Sequence, residues 1–217
     1  MEFISGLLST VNSWLTHSGV IPASAFITIM IFLIKEYLES QRKKKSKENE
    51  ISALKKIFAR ECELNWYLSS QIERLCRTFK PYKDDAENCP YELSILTTPS
   101  GKTTYEITGD EQGMEGGALP QAHADVFKKF MYDVVKHDAE FYEHLESAYE
   151  AALELRHLRD SIVDIHHTGE RIHVDNLMLG FSGYALTELK SINRDIKALY
   201  KFCTEKSVII ESVHKFV

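Results

Sequence analysis

The sequence predicts a mainly α protein: an N-terminal amphipathic helix and one transmembrane helix, then an elongated cytoplasmic helical bundle with an inserted β-hairpin. Three observations carry that reading. No side chain from Phe3 to Ile34 is formally charged, and His17 is the only titratable group there. From Ile51 onward apolar residues recur at three- and four-residue spacing along three long stretches, the period of a helix with one buried face. Between the first and second of these, two short β-branched and aromatic runs flank a Pro-Ser-Gly turn, which is a hairpin signal.

Composition excludes several classes. The 217 residues carry Lys+Arg 26 against Asp+Glu 32, a net charge of −6, with 44% hydrophobic and 27% charged residues. That balance is wrong for a disordered or collagen-like chain, and an acidic total is wrong for a general nucleic-acid coat. Four cysteines without a CxxC pair argue against a disulfide scaffold and a cysteine zinc site. They suit a reducing compartment.

Residues 1–18 form the amphipathic helix. Phe3, Leu7, Leu8, Val11, Trp14 and Leu15 share one face, while Ser5, Ser9, Asn12 and Thr16 repeat on the other. Two uses fit this pattern. The helix lies flat in the outer interface of a bilayer with Trp14 as its aromatic anchor. Alternatively the hydroxyl and amide stripe is pore-lining, extended by Ser24 and Thr28, since polar groups at membrane depth are tolerated where they line a cavity. One span per chain does not enclose a channel, so the second use requires a homo-oligomer.

Residues 19–38 form the transmembrane helix. Val20 to Ile34 is almost wholly apolar, and with Tyr37 and Leu38 it reaches about 18–20 helical residues, the thickness of a hydrocarbon core. Pro22 falls in the first turn, where proline is harmless. Only Glu2 and the amino group precede the run, whereas Lys35, Arg42, Lys43, Lys44, Lys45 and Lys47 follow it. That is not the basic leader of a cleaved signal peptide. The positive-inside rule makes the chain single-pass, N-terminus outside and C-terminus cytoplasmic. Residues 39–50 read as a charged stalk, helical but unpacked or a short linker. Its cations attract anionic lipid headgroups at about 1 kcal/mol each.

Residues 51–217 form the cytoplasmic helical domain. Ile51, Leu54, Phe58, Leu64, Leu68, Ile72, Leu75 and Phe79 give the first stripe, stopped by Pro81. Asn65 and Gln71 border it and are suited to fixing register between helices, the simpler reading being half-buried polar residues with local partners. The hairpin insertion lies at about residues 88–109, with runs at 91–97 and 103–108 around Pro99-Ser100-Gly101-Lys102; residues 109–117 read as a flexible acidic loop. The second stripe runs from Val126 to Ile165 with a possible break near His137-Asp138, and the third from Leu177 to Val213. Three such helices describe an antiparallel bundle, and a homo-oligomer is expected. Residues 35–80 hold twelve Lys/Arg and seven Asp/Glu, whereas residues 81–217 hold fourteen and twenty-four, so the membrane-proximal part is the basic one.

No strong catalytic motif is present, and the chain reads as more a non-enzyme than an enzyme. The best catalytic candidate is Arg159-Asp160-Ser161-Ile162-Val163-Asp164-Ile165-His166. An Arg, a polar residue, and a His six positions after that residue is similar to the active-site motif of HEPN-type ribonucleases, which are also helical. Seven residues apart on one helical face, Arg159 would stabilise a phosphate and His166 move a proton. The simpler use of Arg159 is pairing with Asp160 or Glu154. His166, His167 and His173 follow no metal-ligand spacing; neither a metal nor a cofactor is expected. For ligand binding, Lys190, Arg194, Lys197 and Lys201 recur at i, i+4, i+7 and i+11, a basic ridge on the last helix suited to phosphates, with Tyr200 beside it for stacking. Arg74, Arg77 and Lys80 form a second cluster. The simpler reading of the ridge is a solvated face paired with Glu188 or Asp195.

Taken across the whole chain, a short anchor followed by a cytoplasmic sensor resembles the small single-span membrane effectors of bacterial antiphage defence systems. The resemblance implies an inner-membrane location and an ion channel or membrane-disrupting assembly that depolarises the cell on infection. It also implies gating by a nucleotide or oligonucleotide, or by the synthase that makes it. It transfers no site residues. The alternatives are a membrane-tethered HEPN-like ribonuclease and a membrane-anchored scaffold or adaptor.

Overall fold

The structure, a computed structural model, describes residues 23–109, 113–136, 138–168 and 171–209. It is mainly helical, with one three-stranded antiparallel sheet. Helix α1 spans Ala23–Phe79, and two 3-10 turns follow at Lys80–Tyr82 and Ala86–Asn88. Strands β1 (Tyr91–Thr97), β2 (Thr103–Gly109) and β3 (Gly113–Ala118) come next. Helices α2 (Asp125–Val135), α3 (Ala139–Thr168) and α4 (Arg171–Thr204) complete the chain order. Two compact units result, one ending at Asn49 and one beginning at Glu50.

Helix α1 is long because nothing in it stops a helix: no Gly or Pro stands between Ala23 and Phe79. It ends where Pro81 disfavours helical geometry in the residue before it. The stalk expected at 39–50 is therefore continuous helix, exposed throughout, with an i,i+4 pair at 2.9 Å between Glu39 and Lys43. Among the described residues no helix is long and apolar enough to cross a membrane. The reason is arithmetic: from Ala23 the uncharged run reaches only Ile34 before Lys35 and Glu36, about 18 Å at 1.5 Å per residue. The span expected at 19–38 is thus not supported by its described part, and residues 19–22, like the amphipathic segment 1–18, lie outside the described residues.

In the second unit α1, α2, α3 and α4 alternate in direction. Phe58 of α1 meets Phe130 in the middle of α2 and Phe141 at the start of α3. Asn65 meets His123 just before α2, Ser69 meets Asn193 of α4, and Lys55 meets Phe202 near the end of α4. The second stripe is two helices, α2 ending at Val135 and α3 beginning at Ala139, so the chain breaks where the sequence offered a break near His137-Asp138; the Asp138 carboxylate accepts from the Phe141 N–H at 3.0 Å and caps α3. The third stripe is displaced in its first half. Leu177 and Tyr184 are exposed, while Met178, Ser182, Ala185 and Leu189 face inward. Helix α4 also ends earlier than expected, at Thr204, with Glu205 in the left-handed region at φ 61.

The hairpin forms as its alternation dictates. Leu93 and Ile95 of β1 and Thr103, Tyr105 and Ile107 of β2 are buried, and the residues between them face outward. Pro99 and Gly101 (φ +81) turn the chain, with the Gly101 N–H donating to the Thr98 carbonyl at 2.9 Å. The segment expected as a loop at 109–117 is in part a third strand, because Gly113 to Ala118 pairs with β2 from Gly109↔Gly113 to Thr104↔Ala118. Glycine is what admits it. A Cβ at Gly117 would stand 2.7 Å from Tyr105 Cε1 and 2.8 Å from its hydroxyl, and against Gln71 Oε1. Gly117→Ala is expected to destabilise the second unit by about 1–3 kcal/mol through this overpacking, measured by urea unfolding; an unchanged midpoint would contradict the close approach.

Candidate functional site

The C-terminal end of α1 supplies most of what a ligand could meet. Helical spacing places Glu73 and Arg77 on its outer side, and the 3-10 turn that follows presents Lys80 and Pro81. Helix α4 packs against this turn, bringing Leu186, Leu189, Lys190 and Asn193 to the opposite wall of a groove of about 430 Å³. That lies within the range of roughly 300–1,000 Å³ for small-molecule sites. A second depression, of about 280 Å³, shares Arg77 and Pro81 with it and is lined by Thr78, Tyr82, Tyr91, Ile107 and Glu115.

Charge in these two depressions is unevenly matched. Glu73 accepts from the Arg77 guanidinium on the same helix, and Arg74 reaches Glu115 of β3 at 3.4 Å. Lys80 and Lys190 meet no carboxylate among the described residues. Lys83 lies over Gly183 of α4, its Nζ 3.9 Å from where a Cβ would stand. On the far side, the Tyr82 and Tyr91 rings meet edge to face at 5.7 Å between centroids. Burial, together with the neighbouring Tyr91, holds the Tyr82 phenol above its ordinary value, so it is a neutral donor near pH 7.

The basic ridge does not act as one surface. All four of its side chains are exposed on α4, but only Lys190 joins the groove, beside Arg77 and Lys80 of the second cluster. Arg194 donates twice to Asp195, at 2.8 and 3.1 Å, the solvated pairing expected of a simple charged face. Lys197 sits over the Trp66 ring at 4.5 Å, where it covers an aromatic of α1. Lys201 is exposed in the last turn. The pairing of Lys190 with Arg77 and Lys80 was not legible in the spacing, since it joins elements more than one hundred residues apart. The signal that marks it is Pro81, which ends α1 inside a cluster of cations.

Arg159 is only 6% exposed. Its Nη2 donates to Thr103 Oγ1 at 2.8 Å, its Nε to the Leu119 carbonyl at 3.4 Å, and its Nη1 to Asp160 at 2.8 Å. This arginine ties α3 to one end of the β2–β3 ladder, where the Leu119 N–H donates to the Thr103 carbonyl at 2.8 Å. The backbone of His166 lies in α3, but its side chain, like those of His167 and His173, is outside the description. Of the pore-lining candidates, Ser5, Ser9, Asn12 and Thr16 lie outside the described residues, Ser24 is described only as backbone, and Thr28 is exposed on α1. Among the described residues no group of three or more His, Cys, Asp or Glu is arranged to hold a metal.

Two polar contacts hold the segment before α2. The buried Asn65 amide donates to the His123 carbonyl at 2.8 Å and accepts from its N–H at 2.7 Å. Beside it, Glu61 Oε2 lies 2.9 Å from His123 Nδ1. Asn65 therefore bonds a connecting segment rather than another helix.

Three of the four thiols are poor nucleophiles. Burial pushes Cys76 and Cys203 up to about 12 and raises Cys62 well above its ordinary value. At pH 8 a native-state thiol titration with a chromogenic disulfide is expected to label the half-buried Cys89 first, the half-buried Cys203 with its raised thiol more slowly, and the buried Cys62 and Cys76 only on unfolding. Rapid labelling of all four would contradict this packing. The sign for stability follows: these thiols stay protonated when folded but ionise near 9 when unfolded, so stability falls as pH rises from about 9 toward 12.

No protein-family model matches the chain, and neither does any curated protein or solved structure.

Proposed function

We propose that this chain is a bacterial membrane effector: its N-terminal segment enters a lipid bilayer, several copies assemble, and the assembly lets ions through. The helical bundle is the cytoplasmic part that responds to an anionic, nucleotide-type ligand or to a partner. The observation that supports the anchor is the surface of α1 itself. Ile27, Ile29, Met30, Ile31, Phe32, Leu33 and Ile34 are all exposed, from 37% to 62%, and they cover every face of the helix. Each such side chain removed from water is worth about 1.5–3 kcal/mol, so a bilayer or further copies of the same helix suit this segment far better than solvent. The cations Arg42–Lys45 and Lys47, also exposed, follow at the position where anionic headgroups would hold them. Defence against phage is the setting the layout resembles. A membrane-tethered ribonuclease is disfavoured because the Arg159 guanidinium is enclosed by its own structural partners.

The test is membrane potential in bacterial cells induced to express the full chain, followed with a potential-sensitive dye and an impermeant dye. Rapid depolarisation is expected, lost on removing residues 1–38 and retained in His166→Ala. Replacing Ser5, Ser9 and Asn12 together by Leu is expected to abolish conductance without loss of membrane insertion. Recovery of the full chain in the soluble fraction would overturn the anchor. A polarised membrane with the chain inserted in it would overturn the pore and favour an anchored scaffold.

A further inference from the structure

We infer that the two depressions meeting at Arg77 and Pro81 form one binding site for a small phosphate-bearing molecule with an aromatic ring, the chemical class of a mononucleotide. The inference deepens the ligand response proposed for the bundle and rests on that reading, although its binding test stands apart from membrane permeability.

Cations are common on helix surfaces, and a row on one helix is usually a solvated face. Here the charges come from separate elements: Arg77 from α1, Lys80 from the turn after it and Lys190 from α4. Folding brings them to one groove, where Glu73 offsets Arg77 but nothing among the described residues neutralises Lys80 or Lys190. The two carboxylates on the walls, Glu73 and Glu115, already have their arginines. A phosphate would supply the missing negative charge and accept several hydrogen bonds at once from ammonium and guanidinium donors. Pro81, Leu186 and Leu189 give the groove an apolar side that a bare inorganic ion would not use.

The second depression is what selects for a ring. It opens from the same Arg77 and Pro81, so a ligand with its phosphate between Lys80 and Lys190 extends naturally toward Tyr82 and Tyr91. Both tyrosines are half-buried, so their rings are already ordered and offer a stacking surface at little entropic cost. Thr78 and Glu115 add polar atoms beside them. A long polyanion fits less well. The turn after Tyr82 carries Asp84, Asp85 and Glu87, all exposed, and a nucleic-acid strand leaving the groove on that side would meet them.

The test is equilibrium binding to the full chain in lipid nanodiscs, using the four ribonucleoside triphosphates, pyrophosphate, adenosine and a homopolymeric single-stranded oligonucleotide as probes. At least one triphosphate is expected to bind ten-fold or more tightly than pyrophosphate or adenosine. Lys80→Glu with Lys190→Glu is expected to weaken it at least ten-fold, whereas Lys197→Glu with Lys201→Glu leaves it within two-fold. Tyr82→Ala is expected to weaken the triphosphate but not pyrophosphate. Lys80 and Lys190 are exposed, so unchanged thermal melting of their double variant verifies that it is folded. No triphosphate binding at millimolar concentration, equal binding by the double variant, or tighter binding of the oligonucleotide would each overturn the inference. Triphosphate binding by a chain that leaves the membrane polarised would uphold this site and overturn the pore alone.

Discussion

Phe58→Ala is expected to destabilise the second unit by about 3–5 kcal/mol, the range for removing a fully buried phenylalanine. Phe58 has no exposed surface. Its ring lies 5.7 Å from Phe127 and 6.4 Å from Phe130 of α2, and 5.6 Å from Phe141 of α3, each centroid to centroid. Phe141 in turn packs at 5.1 Å on Phe202 of α4, which carries Lys55 Nζ over its face at 4.3 Å and the His144 ring at 5.0 Å. Truncating Phe58 therefore opens a void bounded by three helices, whose remaining rings have no space to tilt into it without leaving one another. In a unit of this size each kcal/mol lowers the melting temperature by about 2–4 °C, so thermal melting reads the effect directly. Phe58→Leu, which keeps most of the volume, is expected to lose far less. A loss below 1 kcal/mol for the alanine variant would mean that the aromatic cluster is not the joint between α1, α2 and α3.

What could be read in the sequence follows from which interactions are local. The helical period of residues 51–79, the inward row on α3 from Phe141 to Ile162, and the alternation in β1 and β2 all report one-element burial patterns, and each is present in the fold. Where the sequence misled, a non-local contact decided. Gly113 to Ala118 has the composition of a loop, and it becomes a strand because Gly116 and Gly117 let β3 lie against Tyr105. Along α4 the apolar Leu177 and Tyr184 suggested one face, yet the smaller Ser182 and Ala185 are those that fit beneath the neighbouring helices. The same limit applies to the site. A cationic row on one helix is visible in a single line of text, whereas the convergence of Lys190 with Arg77 and Lys80 exists only once α4 has folded back on α1.

Arg159→Ala is the second large effect expected, about 2–4 kcal/mol, and it separates two accounts of the same residue. The guanidinium is held between α3 and the sheet by donors aimed at three acceptors. Thr103, itself only 3% exposed, accepts from it and lies 3.2 Å from Thr97 Oγ1 across the hairpin. Removing the side chain leaves the Thr103 hydroxyl short of a donor and the Leu119 carbonyl short of one of its partners, since neither has easy access to water. It also leaves a void where α3 meets the β2–β3 ladder. Lysine does not restore the arrangement, because one ammonium lacks the planar fork that reaches Thr103 and Asp160 together; Arg159→Lys is expected to recover less than half of the loss. The decisive readout pairs urea unfolding with a ribonuclease assay on the same variants. A structural arginine lowers the unfolding midpoint in both, and the wild-type chain shows no RNA cleavage for either to lose. An arginine of a phosphodiester active site would do the opposite: Arg159→Ala would abolish cleavage at an unchanged midpoint, and the ribonuclease reading would displace the membrane effector.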